Sequence, residues 1–209
     1  MRIIGGEYRA RTIKMPKLAE VRPTQDRVRE AIFNVIREKI PGSDILDLYA
    51  GSGAFGIEAF SRGAQSVIFV DDNIKCIKTI KGNLASLDEN AKMPQLLKAD
   101  AVGAISRFQK EGRKFDIVFL DPPYYKGSFD PSTALRAGRL RTIRSPMGAV
   151  ESLAKNSLIK MNACDILSQH AFVVVEHFKK DILPRETGDI ILFKEKRYGD
   201  TAVSFYRRK

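Results

Sequence analysis

The chain contains few cysteines and few histidines, and it has no long apolar run. Two cysteines, Cys76 and Cys164, cannot build a disulfide framework, which excludes a stapled secreted scaffold. Their scarcity fits a reducing compartment, so a cytoplasmic location is the expectation. The two histidines, His170 and His177, and the cysteines fall at no ligand spacing, so no metal site is expected. Met1-Arg2-Ile3-Ile4-Gly5 lacks the apolar centre of a secretion signal, and no stretch approaches a membrane span. A membrane is therefore excluded from the expected partners. Internal repeats and low-complexity tracts are also missing.

What is present is an ordinary globular composition, 44% hydrophobic and 29% charged over 209 residues, enough for one domain with a substantial core. The net charge of +11 is unevenly spread. Residues 1–42 carry 10 basic and 5 acidic side chains, residues 43–125 carry 10 and 11, and residues 126–209 carry 16 and 9. The middle is neutral and the flanks hold the whole excess. Localised positive charge of this kind marks a polyanion binder rather than a uniformly soluble surface.

The neutral middle carries the motif around which the chain is organised. Ile45-Leu46-Asp47-Leu48-Tyr49 reads as a buried strand, and the chain then turns through Gly51 and Gly53 into a helix from about Ala54 to Arg62. Glycines there let backbone N–H groups approach a ligand closely. Asp47, Tyr49, Ala50, Gly51, Ser52, Gly53 and Gly56 are the first candidate cofactor contacts. A bare G-x-G-x-x-G is shared with dinucleotide-binding proteins. Asp47, four residues before the first glycine, and Asp121-Pro122-Pro123-Tyr124 after a later apolar run turn the reading from NAD to S-adenosylmethionine.

Alternation of the βαβ kind surrounds this motif. Strands are expected at Asp44–Tyr49, Ser66–Val70, Gln95–Lys98, Phe115–Leu120 and Ala171–Glu176. Helices are expected at Ile74–Leu87 and Ala101–Gln109, and Gly148 to Lys160 resembles another. The terminal runs Ile190–Arg197 and Ala202–Arg207 join through Tyr198-Gly199-Asp200-Thr201, an antiparallel hairpin signal. The expected fold is α/β: a doubly wound, mostly parallel, seven-stranded sheet ending in an antiparallel hairpin. Residues 1–42 form a small basic extension, with a hairpin near Gly5-Gly6 and a helix capped by Thr24 and running to about Lys39. Residues 43–209 form the domain.

Further candidates follow from strand ends. Asp71 lies 20 positions after Gly51, where a carboxylate can accept both hydroxyls of a ribose, with Asp72 or Asn73 capping the next helix. Asp72 is kept as a cofactor candidate. Asp100, beside Ala101, either meets an adenine amine or caps the helix that follows. Asp47 either organises the glycine loop or meets a ligand amine. Asp121, Pro122, Pro123 and Tyr124 are the catalytic candidates. An exocyclic nucleobase amine is a poor nucleophile, and Asp121 with the Pro122 carbonyl can accept its two hydrogens and aim its lone pair. The prolines stiffen the loop, and Tyr124 offers a face for a flipped base.

These residues bring a family into view. The chain resembles the bacterial 16S rRNA guanine-N2 methyltransferases of class I fold, over almost its whole length. The resemblance rests on Met1-Arg2-Ile3-Ile4, on Arg22-Pro23-Thr24-Gln25-Asp26-Arg27-Val28-Arg29-Glu30-Ala31-Ile32-Phe33-Asn34 and on Asp47 to Gly56. It extends to Ser61-Arg62-Gly63-Ala64, Phe69-Val70-Asp71, Asp121 to Tyr124, Val173-Val174-Val175-Glu176-His177 and the tail from Arg197-Tyr198-Gly199-Asp200-Thr201. It implies methylation of one guanine in 16S rRNA, or in a small-subunit assembly particle, with Arg22 and Thr24 near the cofactor and target. Thr24 is equally read as a helix cap, and Arg27 and Arg29 either meet the target or form a solvated face.

Residues 128–160 depart from the family by their length and their arginines. Arg136, Arg139, Arg141 and Arg144 are read as rRNA phosphate contacts, against a solvated loop as the alternative. Rival functions are a DNA adenine or cytosine amino-methyltransferase, a non-catalytic RNA-binding assembly factor and a nicotinamide oxidoreductase. The first would need a recognition domain for which the chain leaves little room. The second sits poorly with an intact glycine loop and Asp121-Pro122-Pro123-Tyr124, and the third with that tetrapeptide and the terminal hairpin.

Overall fold

The computed structural model describes residues 1–17, 26–87, 94–123 and 152–209. The parallel strands are β1 (Asp44–Leu48), β2 (Ser66–Asp71), β3 (Gln95–Lys98) and β4 (Phe115–Leu120), joined on one side by β5 (Leu167–Phe178). Then come β6 (Glu186–Thr187), β7 (Ile190–Tyr198) and β8 (Thr201–Arg208). Their order across the sheet is β3-β2-β1-β4-β5-β8-β7-β6. Five neighbours run parallel, and β8 enters antiparallel between β5 and β7. The sheet is therefore mostly parallel and closed by the expected antiparallel hairpin. It has eight strands rather than seven, because the two residues Glu186 and Thr187 pair along Ile190 and Ile191 at the outer edge.

The central strands are apolar on both faces, as strands covered by helices on both sides must be. On one face lie α1 (Asp26–Val35), α2 (Ala54–Ser61) and α3 (Ile74–Ala85), packed through Ile32, Phe33, Phe55, Ile57, Ile80 and Leu84. On the other lie α4 (Ala101–Lys110) and α5 (Leu153–Ala163), packed through Ile105, Phe108, Leu158 and Met161. Phe33, Phe55 and Phe119 form an aromatic knot that ties α1 and α2 to β4, with centroids 5.2 to 6.4 Å apart.

Several boundaries move from expectation. α1 stops at Val35, and a short 3-10 turn, Arg37–Lys39, replaces its last expected turn. β5 extends well beyond Ala171–Glu176, because its second half pairs with β8 as well as with β4. α5 starts at Leu153, where Ser152 caps it by accepting the Lys155 N–H at 3.1 Å, and Gly148 lies outside the described residues. The N-terminal hairpin shrinks to one antiparallel bridge, Arg2 with Thr12.

That shrinkage has a cause in α2. Glu58 is fully buried, and its carboxylate accepts the N–H groups of Ile4 at 2.7 Å and Gly5 at 2.8 Å. The backbone that would have paired across a hairpin is thus spent on a side chain. Ser61 continues the seam, donating to the Gly5 carbonyl at 2.7 Å and accepting from Tyr8 N–H at 2.9 Å. Gly6 sits at φ +80, and a Cβ there would fall 1.8 Å from the Ser61 carbonyl oxygen.

Glu58 is also ion-paired, with Arg62 at 2.7 Å and with Arg29 at 3.8 Å. Arg29, expected either to contact the target or to lie on a solvated face of α1, is instead fully buried. It donates to the Arg2 carbonyl and to Asp26, while its Nε and Nη1 lack hydrogen-bond partners. Burial accordingly lowers its proton affinity, against the opposing pull of Glu58 and Asp26.

Breaking a buried pair from one side leaves the other charge exposed to the full cost of desolvation. Glu58→Ala is expected to lower unfolding free energy by about 3–5 kcal/mol and to release residues 1–17 to proteolysis. Urea denaturation with limited proteolysis measures both, and a loss below about 1 kcal/mol would show that the seam holds without the charge.

Candidate active site

The chain winds from β1 outward to β3 on one side and then crosses to β4 on the other. The crevice outside the carboxyl ends of β1 and β4 is the switch point at which ligands bind in such sheets. Register places the relevant residues there. Leu48 pairs with Val70 and with Leu120, so Tyr49, Asp71 and Asp121 each stand one step beyond a common level.

Asp47 is buried one step below that level, and its Oδ2 accepts the Gly56 N–H at 2.9 Å. The carboxylate therefore braces the start of α2 from beneath the glycine loop. Burial pushes its proton affinity well above the usual carboxylate range, and the charges of Asp121 and Asp71 push the same way. Asp71 and Asp121, beyond the common level on the two strands that flank β1, thus both act on Asp47.

The loop between them has an unusual backbone. Tyr49, Gly51 and Gly53 all lie at positive φ, 62, 57 and 81°. For tyrosine that region is costly, and its hydroxyl is held by Ser157 of α5 at 2.9 Å. Ala50 donates to the Val70 carbonyl, and Gly53 donates back to Ala50, closing the turn. A Cβ on Gly53 would press on Ile57 and Ile80 at 3.1–3.3 Å, and one on Gly56 would strike the Phe69 ring at 2.2 Å. Gly56 serves close packing of α2 on β2, beside its bond to Asp47.

Asp71 is half-buried and receives the Gly51 N–H at 2.9 Å and the Asn73 N–H at 2.8 Å. The Cys76 thiol also hydrogen-bonds to it. Burial nonetheless raises its proton affinity, the hydrogen bonds only partly opposing that. Asn73 is the cap of α3, accepting the Lys75 N–H at 2.9 Å, which frees Asp71 and exposed Asp72 from that task. Asp100 does cap α4, accepting the Gly103 N–H at 2.8 Å, with Ala101 buried behind it. Burial raises the proton affinity of the Tyr49 hydroxyl, and the charges of Asp100 and Asp72 push the same way.

At the end of β4, Asp121 is partly exposed, Pro122 is buried and Pro123 is exposed. Arg27 lies exposed on α1. Arg22, Thr24, Tyr124, Arg136, Arg139, Arg141 and Arg144 lie outside the described residues. His177 uses both ring nitrogens, with Ser204 at 2.9 Å and the Phe178 carbonyl at 3.0 Å, and burial lowers its proton affinity. Among the described residues no cluster of His, Cys, Asp or Glu could hold a metal ion, and no helix is long and apolar enough to cross a membrane.

Residues 1–141 match the family described as conserved hypothetical protein 95. The chain belongs to that family. Its relative YlbH of Bacillus subtilis, named as a candidate rRNA methyltransferase, is 35% identical over 209 residues and 100% of both chains. Ribosomal RNA small subunit methyltransferase D of Escherichia coli is 30% identical over 100% of this chain and 90% of its own. Among solved structures, yhhF of Escherichia coli, a candidate methyltransferase, superposes with a TM-score of 0.75 at 28% identity, covering 100% and 98% of the two chains.

The family's crevice has one member that sequence reasoning passed over. Asn83, buried on α3, donates to the carbonyls of Ser52 and Lys14 at 3.0 Å each, and accepts the Lys14 N–H at 2.9 Å. It ties the N-terminal extension to the glycine loop. A polar residue one turn from the apolar Ile80 and beside Leu84 was the available signal.

A carboxyl group with raised folded-state proton affinity stabilises the fold when protonated, and that contribution is lost as pH rises through the folded value. Asp47→Asn keeps an acceptor for Gly56 without the charge. It is expected to melt above the parent at pH 8 and level with it near pH 4, while binding a cationic ligand more weakly. Thermal melts at the two pH values with calorimetry check this; equal melting points at pH 8 would remove the buried charge as a source of instability.

Proposed function

We propose that this chain is an S-adenosylmethionine-dependent enzyme that methylates the exocyclic N2 amine of a guanine in small-subunit rRNA. The observation that carries this reading is the convergence of Asp47, Asp71 and Asp121 on the positive-φ glycine loop at the switch point. A ligand bearing a sulfonium, an ammonium and a vicinal diol suits that set of acceptors, because positive charge offsets the repulsion and burial of the carboxylates. Membership of the family, and the rRNA activity named for its Escherichia coli relative, support the polyanionic substrate.

When bound, S-adenosylmethionine supplies an electrophilic methyl group. The residues of the chain do the rest by holding and orienting. A carboxylate offers about four acceptor positions. Asp71 has three donors, Gly51, Asn73 and the weak Cys76 thiol, so a diol binds by adding to the fourth position and displacing the thiol. Asp47 faces the ammonium end, Asp72, Asp100 and Ala101 border the base, and Ala50 to Gly53 line the bend around the ligand, with the Ala50, Gly51 and Gly53 N–H groups holding the loop itself in shape.

The target amine is delocalised into its ring and needs its hydrogens held. Asp121 accepts one, and the carbonyl of Pro122, fixed by its buried ring, accepts the other. Alignment of this sort supplies most of the rate, because the methyl donor is already activated. Pro123 stiffens the loop and Tyr124 stacks on the target base.

In this reading residues 1–42 are a basic extension on the methyltransferase domain of residues 43–209. Arg22, Thr24, Arg27, Arg136, Arg139, Arg141 and Arg144 meet the rRNA. The substrate is folded rRNA in a small-subunit particle, encountered in the cytoplasm.

Labelled methyl transfer to unmodified small-subunit particles, duplex DNA and short unstructured RNA tests the assignment. Particles are expected to accept methyl as N2-methylguanosine and the others poorly, whereas N6-methyladenine in DNA or no transfer anywhere would overturn it. Two variants separate binding from chemistry. Asp71→Ala is expected to lose about 1.5–3 kcal/mol of cofactor affinity for each charged hydrogen bond removed. Asp121→Ala is expected to bind the cofactor as the parent does and to lose transfer; near-parental turnover would end its aligning role.

A further inference from the structure

At the outer end of the sheet, the face on the α1 side leaves Phe193 and Lys194 exposed among the described residues. Phe205 and Val203 of β8 point to the α1 side, where they join the core. Across the ladder, Lys194 stands opposite Phe205 and Lys196 opposite Val203, so both lysines share that face. Phe193, at the irregularity in β7, is 39% exposed and packs edge-on against Phe172 of β5 at 5.7 Å.

Cations bracket the two rings. Lys39, just past α1, lies 5.9 Å from the Phe172 centroid, and Arg207 lies 6.0 Å from that of Phe193. Tyr198, half-buried at the far end of β7, continues the row towards the carboxyl edge. The carboxylates on the strands of this face are engaged. Glu176 is buried, and Glu186 pairs with Lys209 at 2.6 Å. Glu195 faces the other way, opposite Ser204.

An exposed ring, Phe193, with the partly buried Phe172 beside it and lysine and arginine side chains around both, forms a stacking platform for unpaired bases with phosphate partners. Protein-binding patches are depleted in lysine, which argues against a protein occupant. Position agrees. Lys196 is level with Val203 and Glu176, one step past the Val175–Leu120 pair and so at the level of Asp121 along the strands. Three strand spacings, about 14 Å, separate Lys196 from the catalytic edge.

We propose that this face of β5, β8 and β7, centred on Phe193, Lys194 and Lys196, binds an unpaired segment of the rRNA next to the target guanine. The proposal rests on the rRNA reading above for its substrate, and it adds a second anchoring surface away from the catalytic crevice.

Fluorescence anisotropy with a labelled oligouridine dodecamer, naked small-subunit rRNA and unmodified small-subunit particles tests it. Phe193→Ala is expected to weaken binding of the dodecamer about ten-fold, and Phe193→Tyr to restore it. Lys194→Gln with Lys196→Gln is expected to flatten the slope of log affinity against log salt by roughly 1.4, at about 0.7 for each phosphate contact. Melting temperatures near the parent's would show that the variants are folded.

Parental affinity and slope in every variant would overturn the platform while leaving methyl transfer by the parent intact. Variants that bind both naked RNAs normally but lose affinity for particles would overturn it too, in favour of a ribosomal protein. Weakened RNA binding in the variants, with a parent that methylates no RNA, would support the platform and overturn the enzyme reading instead.

Discussion

The rest of the structure depends on three carboxylates held near one another at the ends of parallel strands. Left alone, Asp47, Asp71 and Asp121 would repel, and burial makes ionisation of Asp47 and Asp71 costlier still. The fold opposes this with oriented donors: Gly56 to Asp47, and Gly51 and Asn73 to Asp71. Each donor is a backbone N–H whose direction is fixed by a loop or by the start of a helix. In the proposed reading, the residual imbalance of charge is what makes the crevice receptive to a cationic nucleoside. Stability is given up at the place where binding needs it.

The N-terminal extension is part of the same construction. Glu58 binds its backbone and both Arg29 and Arg62, while Asn83 joins Lys14 to the carbonyl of Ser52 in the glycine loop. A segment with little regular structure is thereby made rigid through side chains of α2 and α3. Its basic residues are consequently presented from a fixed support, next to the loop that shapes the crevice. Arg29, with two guanidinium nitrogens unpartnered, shows that this seam is held at some electrostatic cost.

Much of this was legible in the chain itself. The apolar runs at Ile45–Leu48, Val67–Val70 and Ile117–Leu120 carry the signature of strands buried on both faces. The Tyr198 to Thr201 turn marks the hairpin. Gly51 and Gly53 required positive φ, and Asp71 and Asp121 follow strands directly, so local pattern placed them at strand ends. The rRNA family was legible from its motifs, and the match over residues 1–141 agrees with it.

What local pattern could not supply was any preference set by a distant partner. Nothing near Glu58 or Arg29 in sequence shows that both charges are buried, or that Ile4 and Gly5 will spend their N–H groups on a helix 53 or more residues away. Phe193 read as one apolar position in an alternating strand; only pairing of β7 with β8, and of β8 with β5, sets it beside Phe172 and Arg207. The sequence by itself determined the strands, the glycine turn and the carboxylates at strand ends, because those follow from periodicity and backbone sterics within a few residues. Tertiary structure alone decided which charges are buried, which aromatic rings face water and which carboxylates feel one another, because those depend on register between segments far apart in the chain.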